Sequence, residues 1–409
     1  MAMNNEMSRR SFVVSTGGAL LGALSPGSPA PNAEGSRGHR VDIEKFRIET
    51  PKSVIADLQA RLKNTRWNDA VTDDWSYGTQ RSLLEKLIQF WLQDYDWTNR
   101  EAALNELPHF RANIDGFRVH FLHFKGKTAA ARPLLLMNGW PSSFIEYQKL
   151  APLLLEGGFE VVMPALPGFG FSDRPVQPHQ VRAVDLFFRL MTEGLGYGRF
   201  AVAGTDIGAG AATRLGLEHP EQVSGVHVTS VVDPPRDSSS APLSQAEKEY
   251  QAQAERWEEE EGAYSSTQST RPQTLAFGLA DSPVGLASWI IEKFYVWSDC
   301  RGDLLSVFPM EVLIDNLMVY WATGTIGSSV RLYYESKHWP RPFKVGDQVK
   351  PPSAVLVFPK DLAFPPREWA ERFYNVKRYN LAERGGHFPA WEVTDFYAKD
   401  LLEFFRSVG

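Results

Sequence analysis

Asp206, Asp361 and His387 are three side chains that could together carry out a nucleophilic displacement followed by hydrolysis. Asp206 is the centre of Gly204-Thr205-Asp206-Ile207-Gly208, which follows the apolar Ala201-Val202-Ala203 and opens a run of small residues to Thr213. Small residues on both sides of the acid permit a sharp strand-to-helix turn that lifts the central side chain above a sheet edge. A carboxylate there cannot serve as a serine-type acyl-transfer nucleophile, but it can attack an electrophilic carbon and form an ester. Hydrolysis of that ester needs a base, and the chain also carries a histidine, His387 in Arg384-Gly385-Gly386-His387-Phe388, and a further acid, Asp361. Each residue alone has a plainer reading: Asp206 as a helix cap, Asp361 as a turn residue, His387 as a capping or surface histidine. Taken together, those plainer readings require three coincidences.

The whole chain narrows the chemistry further. Its 409 residues, 43% hydrophobic and 22% charged, can form a large core and one or two domains. A net charge of -6, a pI near 5.9 and the lack of a Lys/Arg cluster argue against a nucleic-acid partner. The single cysteine, Cys300, excludes an internal disulfide framework and a cysteine-based zinc site, so the expected site uses no metal and no cofactor. Ser8-Arg9-Arg10-Ser11-Phe12-Val13 precedes a short apolar stretch, 14–24, and a Pro/Ser/Ala/Gly-rich stretch, 25–38. This reads as a twin-arginine export signal, cleaved near residues 30–33, and predicts a periplasmic or secreted protein; the alternative is a basic tail with no address. The apolar stretch is too short for a spanning helix, and no membrane span is expected elsewhere.

The elements that must position these residues follow from periodicity. Apolar residues at three- and four-residue steps predict helices over 51–66 and 79–93, a helical extension packed on something larger. Alternating residues on either side of Asp115-Gly116 predict a hairpin, 110–114 with 117–121, where the sheet is expected to begin. Strands over 134–137, 159–163, 200–204 and 225–231 alternate with helices over 184–195 and 208–218. This is an α/β fold with a mostly parallel sheet and helices on both faces. The alternation stops at about residue 233 and resumes with a strand over 353–358, a helix over 366–374, a strand over 376–379 and a helix over 393–405. The intervening stretch is helical and aromatic, with Ser244-Gln245-Ala246-Glu247 as a capping box and Glu258 to Glu261 as a solvated helix end, and reads as an inserted cap. The resulting domains are 1–40 signal and linker, 41–109 extension, 110–232 first part of the core, 233–338 cap and 339–409 second part of the core. In such a fold the order Asp206, Asp361, His387, each after a strand, is that of α/β-hydrolase sites.

At this point the chain resembles the microsomal-type epoxide hydrolases, which carry an N-terminal helical extension and include the juvenile-hormone epoxide hydrolases. The resemblance runs from about Val41 to the C-terminus. It rests on Thr65-Arg66-Trp67, Asp74-Trp75-Ser76-Tyr77-Gly78, Gly139-Trp140-Pro141, Asp281-Ser282-Pro283-Val284-Gly285-Leu286-Ala287, Glu292-Lys293-Phe294, Tyr320-Trp321 with Thr323-Gly324-Thr325, Phe358-Pro359-Lys360-Asp361 and the segment around His387. It implies hydrolysis of an apolar epoxide to a diol, with epoxide and water as the partners. Asp206 would be the nucleophile, Tyr264 and Tyr333 the cap-domain acids, with Tyr334 a competitor for the second place. His387 and Asp361 would activate water, and the backbone N–H groups of Ile207 and Trp140 would form the oxyanion hole. Trp75, Tyr77, Phe169 and Trp140 are expected to line the pocket. The chain departs from the family in having Asn138 where His is usual, and Asp361 where some relatives carry Glu. Two rival readings are a haloalkane or haloacetate dehalogenase and an inactive exported ligand-binding relative; no Gly-x-Ser-x-Gly elbow supports a serine esterase. Which epoxide is bound, and whether the protein forms a homo-oligomer, are left open.

Overall fold

The apolar runs expected to be strands are strands, and they gather in one sheet. The computed structural model describes residues 41–408; the export signal expected in residues 1–40 lies outside the described residues. In chain order come β1 (Val41–Lys45), α1 (Lys52–Lys63), α2 (Arg81–Gln93), α3 (Trp97–Leu104), β2 (His109–Ile114), β3 (Phe117–Phe124), β4 (Arg132–Met137), α4 (Leu150–Glu156), β5 (Phe159–Pro164), α5 (Ala183–Arg189), β6 (Phe200–Gly204), α6 (Ile207–Glu218) and β7 (Val223–Val228). Then follow α7 (Gln245–Glu261), α8 (Ala263–Thr270), α9 (Pro272–Asp281), α10 (Pro283–Val296), α11 (Met310–Thr323) and α12 (Ile326–His338). The chain ends with β8 (Val349–Val357), α13 (Arg367–Glu371), β9 (Tyr374–Leu381), α14 (Pro389–Glu392) and α15 (Thr394–Val408).

The nine-stranded sheet has the order β1-β2-β3-β5-β4-β6-β7-β8-β9. Pairing is antiparallel from β1 to β5 and parallel from β5 to β9. This corrects the expectation that the sheet begins at residue 110: β1, from the extension, is its edge strand, with Val41 opposite Ile114. Its five residues, Val-Asp-Ile-Glu-Lys, are too short and too charged to stand out as a strand until a partner is present.

Strand order reverses between β4 and β6, so the chain leaves β4 toward one side of the sheet and β6 lies on the other. Such a switch point opens a crevice at the carboxyl ends of the strands. Leu134, Leu135, Leu136, Val202 and Ala203 are fully buried, as strands covered on both faces require. Helices α5 and α6 pack together, as do α4 and α15. Helix α15 buries Tyr397, Leu401, Phe404 and Phe405 along one stripe. The buried Asp400 on that helix binds His227 on β7 at 2.8 Å and Arg378 on β9 at 2.8 Å. Together these two partners hold its carboxyl down to about 2 against the upward pull of burial.

The expected cap is present as α7 to α12, and its capping box is formed by Ser244 and Glu247. At the end of α7, Glu259 and Glu260 are exposed, while Glu258 and Glu261 turn partly inward. The extension is tied to this cap by the Arg61–Asp281 pair at 2.6 Å and by Thr79 donating to the Ser288 carbonyl at 2.7 Å. Tyr95 and Arg100 both reach Asp315 on α11, at 2.7 and 3.0 Å. The next residue, Asn316, donates to the Pro141 carbonyl at 2.8 Å, and Tyr320 donates to the Ser142 carbonyl at 2.9 Å. A continuous set of hydrogen bonds thus runs from the extension through α11 to the loop after β4.

Candidate active site

Register places the two central loops against each other: Met137 at the end of β4 pairs with Gly204 at the end of β6, and Thr205 N–H donates to the Met137 carbonyl at 3.0 Å. Asp206 then turns the chain from strand to helix at φ 51°, ψ -126°, a strained conformation for a residue with a Cβ. Gly208 lets α6 start against the neighbouring loop, because a Cβ there would lie 2.2 Å from the Met137 carbonyl oxygen. Gly139 leaves room for the acid itself: a Cβ at that position would lie 1.9 Å from Asp206 Oδ1.

The Asp206 carboxylate is buried and held on one side by backbone donors. Trp140 N–H donates to Oδ1 at 2.9 Å, and Ile207 N–H also binds the carboxylate. On the other side His387 Nε2 lies 3.6 Å from Oδ2, while His387 Nδ1 meets Asp361 Oδ1 at 2.7 Å. Burial raises the Asp206 carboxyl from its ordinary range, and His387 with the two N–H groups opposes that rise. Burial pulls the His387 imidazole down, but Asp361, Asp206 and Glu146 outweigh it and bring it up to about 9. At neutral pH His387 therefore rests as an imidazolium, beside Asp206. His387 is fixed by its own backbone as well, since its N–H donates to the Trp297 carbonyl at 2.8 Å.

Two cap helices bring tyrosines over this pair. Helix α12 packs on α8, which places Tyr333 and Tyr264 with ring centroids 6.0 Å apart and their side chains interacting. Trp140 lies between cap and core: it stacks on Tyr264 at 5.6 Å and meets Tyr333 edge-on at 6.0 Å. Burial, with the nearby Asp206 charge, pushes both phenols well above their usual range, so each remains a proton donor. Tyr334 faces elsewhere, stacked on His338 at 3.8 Å.

The expected residues do not all converge. Phe169 is buried and lines a cavity of about 10 Å³, the space of one water, with Asn138, Ser142, Leu166 and Tyr320. Trp75 stacks on Tyr295 at 3.9 Å, between the extension and α10. Tyr77 is a correction: it is 78% exposed in the turn before α2 and walls no buried pocket. The turn carries it outward, and a motif cannot report that. Asn138 donates to the Gly139 carbonyl at 3.1 Å and to Ser142 Oγ at 3.0 Å, so the departure from His leaves the loop supported.

Residue types alone missed two groups. Glu146, just after the loop of Trp140, is buried with Oε1 unpartnered among the described residues, and burial raises it to about 8. Its carboxyl interacts with both His387 and Asp206. Lys293 on α10 is buried against Tyr264; its signal was a lone cation within the apolar run from Leu286 to Val296. Among the described residues no three His, Cys, Asp or Glu side chains gather as metal ligands.

The chain is similar to known proteins over most of its length. The epoxide hydrolase N-terminus family matches residues 43–147, and the alpha/beta hydrolase fold family matches residues 132–279. Epoxide hydrolase 1 of Sus scrofa is 32% identical over 93% of this chain and 92% of its own. The crystal structure of juvenile hormone epoxide hydrolase from the silkworm Bombyx mori superposes with a TM-score of 0.82 at 30% identity, covering 90% of this chain and 95% of that one. Aspergillus niger epoxide hydrolase gives a TM-score of 0.76 at 27% identity, with 91% and 98% covered. With its α/β-hydrolase core, helical cap and N-terminal extension, the chain belongs to the microsomal-type epoxide hydrolase family.

Proposed function

We propose that this protein hydrolyses an apolar epoxide to a vicinal diol through a covalent ester on Asp206. The observation that carries the reading is a buried carboxylate set between two backbone N–H donors and an imidazole, with two protonated tyrosines above it. In the first step an Asp206 oxygen bonds to an epoxide carbon, the ring C–O bond breaks, and the departing oxygen takes a proton from Tyr264 or Tyr333. A poor leaving group of this kind needs a positioned acid at neutral pH.

Ester formation removes the Asp206 charge. That charge helps hold the proton on His387, so its loss lowers the imidazole pKa and frees the base when the ester is present. His387 then takes a proton from water, whose oxygen attacks the Asp206 carbonyl carbon. The N–H groups of Trp140 and Ile207 bind the developing oxyanion. The bond to the diol oxygen breaks and that oxygen takes the second water proton from the new Asp206 carboxyl, while the proton His387 took from water replaces the one it had released to restore the tyrosine.

A dehalogenase reading draws on one observation: the indole N–H groups of Trp140 and Trp297 are buried without a hydrogen-bond partner among the described residues and could face a halide. Against it, Ile207 rather than an indole follows the nucleophile, and a halide has no use for two tyrosine acids. Steady-state assays with panels of epoxides and haloalkanes decide between them. Diol from epoxides without halide from haloalkanes supports the proposal; halide release alone overturns it. We also propose export by the twin-arginine route, resting on Arg9-Arg10 and the stretch that follows. A reporter fused to residues 1–40 should leave the cytoplasm only in cells that have the twin-arginine translocase, and export without that translocase would contradict the assignment.

A further inference from the structure

Helix α10 carries Trp289 and Lys293, and Trp297 is its C-cap residue; at four-residue steps the three side chains share one side. That side turns inward. The Lys293 side chain is 6% exposed, and its Nζ lies 4.9 Å from the ring centroid of Tyr264, 5.6 Å from that of Trp297 and 5.9 Å from that of Trp289. Its charge partner is Glu292. Neighbours at consecutive helical positions do not face each other, so the pair forms because Glu292 bends round to Lys293. Pairing with Glu292 alone would be met equally well with both groups in solvent, and does not account for burying the ammonium among three aromatic rings.

The surroundings give the position a purpose. Glu258 and Glu261, at the end of α7, are partly buried; Glu258 disfavours negative charge on Tyr264, and Glu261 feels both Glu292 and Lys293. Lys293 is the cation within this acidic fringe that lies against the phenol ring. A cation over a ring is attracted to its π-electrons, and the attraction grows as the ring gains electron density. Tyr264 gains that density when its hydroxyl proton moves to the departing oxygen.

We propose that Lys293 is a positioning residue for the alkylation step: held against the Tyr264 ring, its ammonium stabilises the charge that appears on Tyr264 as it protonates the opened epoxide, and fixes the ring over Asp206. The proposal rests on the reading of Tyr264 as a proton donor. The balance of atoms is unchanged: the Asp206 oxygen–carbon bond forms, the epoxide C–O bond breaks, and the proton leaves Tyr264 Oη. Lys293 itself transfers nothing. Ester hydrolysis, which runs through His387, does not involve it.

The test is rapid-quench measurement of ester formation and ester decay in wild type, Lys293→Met, Lys293→Arg, Tyr264→Phe and the Lys293→Met/Tyr264→Phe double variant. Lys293→Met should slow ester formation about tenfold and leave decay within about twofold of wild type, the size expected of a desolvated cation–π contact. Lys293→Arg should restore most of the loss. In the Tyr264→Phe background, where the ring against Lys293 has no hydroxyl proton to give, Lys293→Met should change ester formation less than about twofold. The same tenfold loss in both backgrounds, equal slowing of formation and decay, or no change at all would overturn the proposal. If Tyr264→Phe itself leaves ester formation unchanged, the donor assignment fails first and the role of Lys293 falls with it. Should Lys293→Met not fold, Lys293→Gln against Lys293→Arg reads the same contrast.

Discussion

The core half and the cap half of the site are built in different ways. In the core, Asp206, Asp361 and His387 stand on loops at strand ends, and backbone hydrogen bonds fix them: Trp140 and Ile207 N–H to Asp206, the Trp297 carbonyl to His387 N–H. In the cap, Tyr264 and Tyr333 stand on separate helices and are fixed by ring packing against Trp140, Trp297 and each other. Backbone hydrogen bonds are directional and keep a nucleophile and base in place through the reaction. Ring packing is less directional, so it can hold two donors over substrates of differing shape. The division matches the two chemical steps. In the proposed reaction, ring opening draws acting groups from both halves, whereas the groups that act in ester hydrolysis all stand in the core.

Removing one group from each half should separate the steps. The largest effect is expected from His387→Gln, which should form the Asp206 ester and then stall, giving a burst of consumed epoxide with no further diol in a stopped assay. Tyr264→Phe should slow ester formation about a hundredfold, the lower end for a lost general acid, while the ester decays at nearly the wild-type rate. Ester decay slowed as much as formation in Tyr264→Phe would mean that the two halves are not separable in this way.

A smaller effect concerns the resting charge on His387. His387 is raised from 6.5 to about 9, so its bound proton contributes stability that is fully present below about 6.5 and lost as pH rises through about 9. Asp361→Asn removes the largest raising cause. Thermal melts from mildly acid to alkaline pH should show wild type the more stable below about 6.5, with the gap closing above about 9. A gap independent of pH would mean that Asp361 acts through packing alone.

The core half was legible in the sequence because its chemistry is local. A small-x-acid-x-small turn after an apolar strand, and an acid and a histidine after later strands, each carry a signal within a few residues. The cap half was not legible in that way. Nothing in the composition of α8 or α12 separates Tyr264 and Tyr333 from Tyr334; their places came from motif context, and only helix packing shows that Tyr334 turns toward His338. Tyr77 was misplaced for the same reason, since a motif gives position in the chain and not the direction of a side chain. Strand β1 escaped because five residues with three charges show alternation only against a partner. Glu146 and Lys293 are polar residues in apolar surroundings, a pattern visible beforehand, but their neighbours come from parts of the chain joined only by the fold.

The central claim is that the substrate is carried as an ester on Asp206. It is tested most directly by a single turnover of wild-type enzyme in excess over epoxide, in water enriched in the heavy oxygen isotope, followed by mass measurement of the peptide containing Asp206 and of the diol. An ester hydrolysed at its carbonyl carbon places the heavy oxygen in the Asp206 carboxylate and leaves the first diol formed unlabelled. Heavy oxygen in that first diol, with an unlabelled Asp206 peptide, would show that water attacks the epoxide directly and would contradict the account.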